Sequence, residues 1–136
     1  MSTLDRAIQI AVEAHAGQRG KDGEPYILHP LRVMLAQDDY AARIVGVLHD
    51  VVEHSEWTLE DLTSEGFPLQ VIEAVDAMTR RDGEEYSQSV LRARSNPVAR
   101  YVKIADLRDN LDTVISTGDS ERKAMYEQAL ALMAGL

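Results

Sequence analysis

The stretch Ile44-Val-Gly-Val-Leu-His-Asp-Val-Val-Glu53 decides how this chain is read. An apolar run, Ile44 to Leu48, ends on two adjacent ionisable side chains, and burying such groups costs free energy unless something pairs them. Asp38 or Asp39 is positioned to cap a helix running through Ile44, Leu48 and Val51, with His49, Asp50 and Glu53 near its end. On a helix Glu53 lies at i+4 from His49 and i+3 from Asp50, so all three side chains can face one groove.

Working outward, the N-terminal side repeats the helical pattern. Ser2 or Thr3 can cap a helix whose positions Leu4, Ile8, Ala11 and His15 follow the three-to-four spacing, and Gly17 sits where a left-handed C-terminal residue belongs. Residues 18–26 form a polar loop carrying Arg19 and Lys21. Pro30 fits the first position of a second helix, and its steric clash with the preceding residue predicts His29 outside the helical region, at the helix mouth.

On the C-terminal side Thr58 and Asp61 make a capping box, with Trp57 placed to pack against Leu62. Pro68 opens a helix through Ile72, Val75 and Met78 that is expected to stop near Asp82-Gly83, and residues 84–95 read as a short helix. Asn96-Pro97 is a start signal for a helix through Val98, Val102, Ala105, Asn110 and Ile115, and after residues 116–119 a last helix reaches Met133. Residues 101–107 also alternate in a strand-like way, but the Asn-Pro start and the length of the pattern favour helix. The expectation is an all-α, compact single-domain helical bundle over residues 1–136. Its motif-bearing core spans about residues 4–112 and its C-terminal helix about 120–133.

Composition bounds the function. The chain has 136 residues, 45% apolar and 27% charged, with 14 Lys+Arg against 23 Asp+Glu and a formal charge of −9. That balance argues against nucleic-acid binding, which draws affinity from cations on phosphates. There is no cysteine, hence no disulfide framework or thiolate metal site, and no apolar stretch of membrane-spanning length. The chain reads as soluble and cytoplasmic. Charge is also segregated: residues 44–79 contain no Lys or Arg, whereas Arg92, Arg94, Arg100, Lys103 and Arg108 surround the single acid Asp106. Two solvated faces explain this segregation, and so does a cation site opposite an anion-binding wall.

Chemistry-bearing residues concentrate at His29, His49-Asp50, Glu53, and the stripe Lys103, Asp106, Asn110. Two imidazoles and two carboxylates from three helices would make a mixed nitrogen and oxygen site with room for water or substrate. Such a site suits Mn²⁺ or Fe²⁺, then Zn²⁺, Co²⁺ or Mg²⁺. Taken singly, each has an ordinary reading. His29 is a turn residue, His15 a hydrogen-bonded core histidine, and Asp106 the partner of Lys103 or Arg108. Spacing alone does not bring them together.

The segments His15-Ala-Gly-Gln18, Gly23-Glu-Pro-Tyr-Ile-Leu-His-Pro30, Leu48-His-Asp-Val-Val-Glu53 and Val102-Lys-Ile-Ala-Asp106 with Asn110 resemble, in order and spacing, the HD-domain phosphohydrolases. Among these the chain is most similar to the hydrolase domain of the RelA/SpoT alarmone enzymes and their small relatives, over about residues 4–112. The resemblance implies that His29, His49, Asp50 and Asp106 hold one metal ion, typically Mn²⁺. It implies that Glu53 handles the attacking water and that Asn110 contacts the substrate. Arg19, Lys21 and Lys103 match phosphate- and nucleotide-binding positions, and Tyr86 and Asn96 match pocket positions more loosely. A synthetase domain does not fit in this length.

Two departures stand on substrate-facing elements. His54 replaces the Asp that usually follows the catalytic Glu, and Gly20-Lys21 replaces an Arg-Lys pair. His54 lies at i+4 from Asp50, placed to support that ligand, shuttle a proton or alter the metal site. The implied reaction is hydrolysis of the 3′-diphosphate of guanosine tetra- or pentaphosphate (ppGpp, pppGpp) to GDP or GTP and pyrophosphate. The alternatives are an HD-domain phosphatase releasing orthophosphate from another nucleotide, and a regulatory module in which His54 and Gly20 mark lost catalysis. The expected partner is a small-molecule nucleotide, with no nucleic acid, no membrane and no indicated oligomer. Met125, Leu132 and Met133 are expected to pack on the chain's own core.

Overall fold

Residues 44–48 are all buried, so the helix that carries them is apolar on every side and has to lie at the centre of the molecule. The computed structural model describes residues 3–135. Among them are nine helices: α1 (Leu4–Ala14), α2 (Leu28–Leu35), α3 (Tyr40–Leu48), α4 (Val51–His54), α5 (Leu59–Ser64), α6 (Leu69–Met78), α7 (Tyr86–Ser95), α8 (Ala99–Thr117) and α9 (Ser120–Met133). The fold is all-α. The one isolated β-bridge among the described residues, Arg19 with Pro25, closes the polar loop between α1 and α2. Residues 101–107 lie wholly within α8.

Local chemistry accounts for the helix ends. Thr3 accepts from the Arg6 backbone N–H and caps α1, while the Ser2 alternative lies outside the described residues. Asp39, rather than Asp38, caps α3 by accepting from Ala42 N. The Thr58–Asp61 capping box closes in both directions, and Trp57 packs on the same apolar cluster as the fully buried Leu62. Asn96 accepts from both Val98 N and Ala99 N, so its side chain starts α8 although the helix proper begins three residues later. Gly17 and Gly118 take the left-handed conformation after α1 and α8, with φ of 79° and 78°.

Three boundaries differ from the expectation. α2 begins at Leu28, not Pro30, so His29 lies inside its first turn. Proline is tolerated there because the first N–H groups of a helix have no intrahelical acceptor, and Leu28 N and His29 N bond back to the Pro25 and Tyr26 carbonyls. The single helix expected through Val51 breaks at His49-Asp50 into α3 and α4, with Asp50 at φ −103°, ψ 0°. At the break His49 Nδ1 lies 2.6 Å from the Gly46 carbonyl. α6 ends at Met78, well before Asp82-Gly83, because Thr79 turns to extended backbone and its hydroxyl donates to the Val75 carbonyl.

α1, α2, α6 and α8 pack around α3, and α7 and α9 pack against the far half of α8. Two apolar clusters result. Ala99 and Val102 of α8 belong to the first, and Leu107 and Val114 to the second, which leaves Asp106 on the turn between them. Tyr126, Ala129 and Met133 of α9 are buried in the second cluster, and Met125 and Leu132 pack against it. No described helix is long and apolar enough to cross a membrane.

The α2–α3 crossing is close enough to test. A Cβ added at Gly46 would stand 3.0 Å from the Met34 Cα and 3.2 Å from its N, backbone atoms that cannot swing aside. Gly46→Ala is expected to cost about 1–3 kcal/mol of stability, seen as a lower urea midpoint with unchanged slope.

Candidate metal centre

Three parts of the chain converge beneath a cavity of about 470 Å³. The first turn of α2 supplies His29, the α3–α4 break supplies His49 and Asp50, and the middle of α8 supplies Asp106. Each offers one ligand atom, and the four atoms lie within 4.8 Å of one another. His29 Nε2 is 2.9 Å from Asp106 Oδ1 and 3.7 Å from Asp50 Oδ2. His49 Nε2 is 3.3 Å from Asp106 Oδ1 and 3.1 Å from Asp50 Oδ2. His29, His49 and Asp106 are buried, and Asp50 is nearly so.

Both imidazoles are oriented from behind. His49 Nδ1 donates to the Gly46 carbonyl, and His29 Nδ1 lies 2.6 Å from Asp109 Oδ2, so each ring turns Nε2 to the centre. Asp109 is itself fixed by Arg32, whose Nε and Nη2 donate at 2.6 and 3.0 Å. The Tyr26 hydroxyl donates to Asp50 Oδ2 at 2.5 Å. Lys103 Nζ and Asn110 Nδ2 donate to Asp106 at 3.0 and 3.1 Å.

The electrostatics are those of imidazoles and carboxylates desolvated together and paired with one another. Burial alone would push His29 down, but hydrogen bonds to Asp106 and Asp109 outweigh it and raise its pKa to about 9. His49 is likewise desolvated yet held well above the ordinary imidazole value, chiefly by the Asp50 charge and its bond to Asp106. Burial would raise the carboxyls. The His49 charge holds Asp50 down, and the Lys103 charge with the two imidazoles holds Asp106 well down. Protons on the imidazoles thus stand where a cation would. Two nitrogens and two carboxylates, buried and convergent, fit a divalent ion with positions left for other ligands.

Glu53 and His54 lie on the cavity wall. Glu53 Oε1 accepts from the Arg80 backbone N–H at 3.1 Å, and its Oε2 is 3.4 Å from His54 Nε2. Lys21, Lys103 and Asn110 line the cavity, whereas Arg19 does not and instead donates to the Gly23 carbonyl. Tyr86 lines it with Lys103 Nζ 5.6 Å from its ring centroid. Asn96 caps α8 and Arg100 lies over Tyr101, both outside the lining. His15 is buried, with Nδ1 on Gln18 Oε1 at 2.9 Å and its ring against Tyr26.

Sequence reasoning missed several residues. Asp109 had a signal, lying at i+3 from Asp106 on the same stripe of α8. Tyr26 stood within the quoted Gly23–Pro30 segment without a role. Arg32, Arg80, Arg122 and Tyr126 reach the cavity wall only through packing of α2, the α6–α7 loop and α9.

A helical bundle with a buried two-histidine, two-aspartate centre under a nucleotide-sized cavity defines the class of fold and site. The chain belongs to the HD-domain family, whose model matches residues 7–136. It is 30% identical over 98% of its length to a guanosine-3′,5′-bis(diphosphate) 3′-pyrophosphohydrolase of Aquifex aeolicus, of which it covers 21%. It is 35% identical over 98% of its length to a GTP pyrophosphokinase of Streptomyces coelicolor, covering 17% of that protein. The chain therefore spans about a fifth of the length of the curated relatives it matches. Its fold matches a solved metazoan ortholog of SpoT, described as hydrolysing ppGpp, with a TM-score of 0.78 over 98% of this chain and 85% of that one, at 23% identity.

Two outcomes follow from this geometry. In metal-free protein the raised His29 pKa contributes stability that is complete below about pH 6.5, the ordinary imidazole value. That contribution fades as pH rises toward about 9, and His49 acts in the same direction. Urea unfolding in chelator between pH 6 and 9 should show stability falling, whereas divalent-ion affinity should rise over the same range because binding displaces those protons. Asp109→Asn, which weakens the orientation of His29 without touching the four donors, should lower metal affinity by about 10–100-fold in a competition titration.

Proposed function

We propose that this chain is a cytoplasmic, divalent-metal-dependent phosphohydrolase, acting as one hydrolase domain on the 3′-diphosphate of guanosine tetra- or pentaphosphate and yielding pyrophosphate with GDP or GTP. The convergence of His29, His49, Asp50 and Asp106 beneath the cavity carries the reading. The printed names of the Aquifex aeolicus relative and of the SpoT ortholog point to the substrate. The four side chains would hold the ion, the mixed nitrogen and oxygen set suiting Mn²⁺ or Fe²⁺ ahead of Zn²⁺, Co²⁺ or Mg²⁺. When bound, such an ion lowers the pKa of water and polarises a phosphoryl oxygen.

The chain's own residues supply the rest. Glu53, tied at Oε1 to the Arg80 backbone, keeps Oε2 in the cavity to orient the attacking water and accept its proton, with the His54 imidazole 3.4 Å away as its neighbour. Lys103 is held charged: burial opposes this, but the adjacent Asp106 outweighs it, so its ammonium stands at the cavity floor whenever substrate arrives. Lys21, with Arg80 and Arg122 on the wall, offsets phosphate charge that a protein of net −9 would otherwise repel. Asn110 positions Asp106 and presents its amide to the substrate. Tyr86 and Tyr126 give apolar faces on which a base can stack. Arg19 is proposed to act through the loop it ties to Gly23, bringing Lys21 to the rim.

Incubating purified protein and Mn²⁺ with a nucleotide panel and identifying the products tests the assignment. Pyrophosphate from ppGpp supports it, orthophosphate from another nucleotide replaces the substrate, and no turnover overturns the reading. His49→Ala and Asp50→Ala are expected to lose bound metal and turnover together. Glu53→Gln should keep metal by elemental analysis while kcat falls by about 10²–10⁴-fold.

A further inference from the structure

Handling the attacking water requires a Glu53 carboxylate held in one direction, yet little touches it. Among the described residues its one hydrogen bond comes from the Arg80 backbone N–H, which donates to Oε1 at 3.1 Å. No Lys or Arg side chain among them pairs with it, and the Glu53 side chain is 35% exposed. The Arg80 N–H itself lies outside any helix. Thr79 turns to extended backbone at the end of α6, so Arg80 is carried by the α6–α7 loop, and the direction of the carboxylate depends on where that loop lies.

We propose that Arg92 of α7 is a positioning residue for Glu53, acting through the Thr79 carbonyl and the Glu84 carboxylate to fix the Arg80 N–H. The inference rests on the hydrolase reading above and deepens it. Arg92 grips the loop on both sides of Arg80. Its Nη2 donates to Thr79 O at 2.9 Å and to Glu84 Oε1 at 3.0 Å, and its Nη1 donates to Glu84 Oε2. One planar fork thus spans both carboxylate oxygens and a backbone carbonyl, a geometry that the single ammonium of a lysine does not reproduce.

The loop closes on itself around this grip. Arg80 Nη2 donates to the Glu84 carbonyl at 2.9 Å, and the Arg81 backbone N–H donates to Glu84 Oε1 at 3.1 Å. Arg81 Nη1 donates to the Thr79 and Asp76 carbonyls at 2.8 and 2.6 Å, which ties the same loop back to α6. Gly83, at φ 73°, supplies the left-handed turn that brings Glu84 under Arg92.

Burial makes the grip firm. The Arg92 and Glu84 side chains are only 26% and 13% exposed. Arg92 Nε is buried with no acceptor among the described residues, a cost that the other two nitrogens have to offset, and both of them donate to the loop. Neither Arg92 nor Glu84 lines the cavity, so an effect of either on turnover has to pass through the residues they hold. Arg80 offers two such routes, its backbone N–H on Glu53 and its guanidinium on the cavity wall, and the experiment has to separate them.

A double-mutant cycle with Mn²⁺ and ppGpp, or the panel nucleotide that the wild type hydrolyses, does so. Arg92→Ala and Glu84→Gln are each expected to lower kcat about 10–100-fold, the cost of slightly misplacing a reacting group, with bound Mn²⁺ unchanged by elemental analysis. Glu84→Gln keeps the size of the side chain but turns an amide NH₂ toward the guanidinium whichever way it lies, so it carries the test if Arg92→Ala does not fold. Arg92→Lys should fall between the wild type and Arg92→Ala. In a Glu53→Gln background the same substitutions should change kcat by less than about twofold, because the group they position is gone. In metal-free protein the Arg80 amide proton, bonded to a carboxylate, should resonate downfield and move upfield in Arg92→Ala and Glu84→Gln. An unmoved resonance, an unchanged kcat, loss of the metal, or an equal fall in the Glu53→Gln background each overturns the positioning role and leaves the hydrolase reading intact. No turnover of any nucleotide by the wild type overturns that reading and the inference with it.

Discussion

Opposite charge at close range, enforced by burial, is the constraint on which this structure depends. Two imidazoles and two carboxylates occupy an interior where any one of them alone would be heavily penalised, and each is tolerated only because the others are within about one hydrogen-bond length. The helices that deliver them are therefore tied together by the site as well as by the core. α2 meets α8 through His29 with Asp106 and through Arg32 with Asp109, and α3 meets α8 through His49 with Asp106. Without a cation the imidazoles carry the compensating protons. With one, those protons leave, so loading the site and titrating it are the same event seen from two sides.

The apolar packing is arranged to make that convergence possible. The last five residues of α3 are all buried and Gly46 brings the helix within backbone contact of α2, which sets the distance between His49 and His29. The same glycine's carbonyl receives His49 Nδ1, so one residue controls both the helix approach and the ring orientation. α8 runs past both apolar clusters and carries Asp106 at the turn where they meet. The break between α3 and α4 is part of the same arrangement, because it frees Asp50 from a regular helix and leaves Glu53 and His54 on a separate turn at the cavity wall.

The cavity is divided in chemistry. Its lining joins the buried two-histidine, two-aspartate centre, with Lys103 on Asp106, to Glu53 held by the Arg80 backbone, Arg122 and the tyrosines 26, 86 and 126. The segregation of charge along the chain is only partly this division. Asp50, Glu53 and Lys103 do line it together, but Arg92 pairs with Glu84 and Arg100 lies on Tyr101, so much of the basic run is structural or solvated.

Much of this was legible in the chain itself. A cap at Ser2 or Thr3, another at Asp38 or Asp39, the Thr58–Asp61 capping box, Gly17 and the apolar spacing determine eight helices and no sheet, because each is an interaction within a few residues. His49 and Asp50 were also readable, since ionisable residues ending an apolar run have to find partners, whereas the grouping of His29 and Asp106 with them came from the family resemblance. Tertiary structure alone decided the rest: that His29 sits inside α2, that the helix breaks at His49-Asp50, that Asp109 and Tyr26 orient the donors, and that Arg19 turns away from the cavity. The roles of Tyr26 and Asp109 depend on side chains 24 and 80 residues apart meeting at hydrogen-bond distance, and no local preference encodes such a meeting.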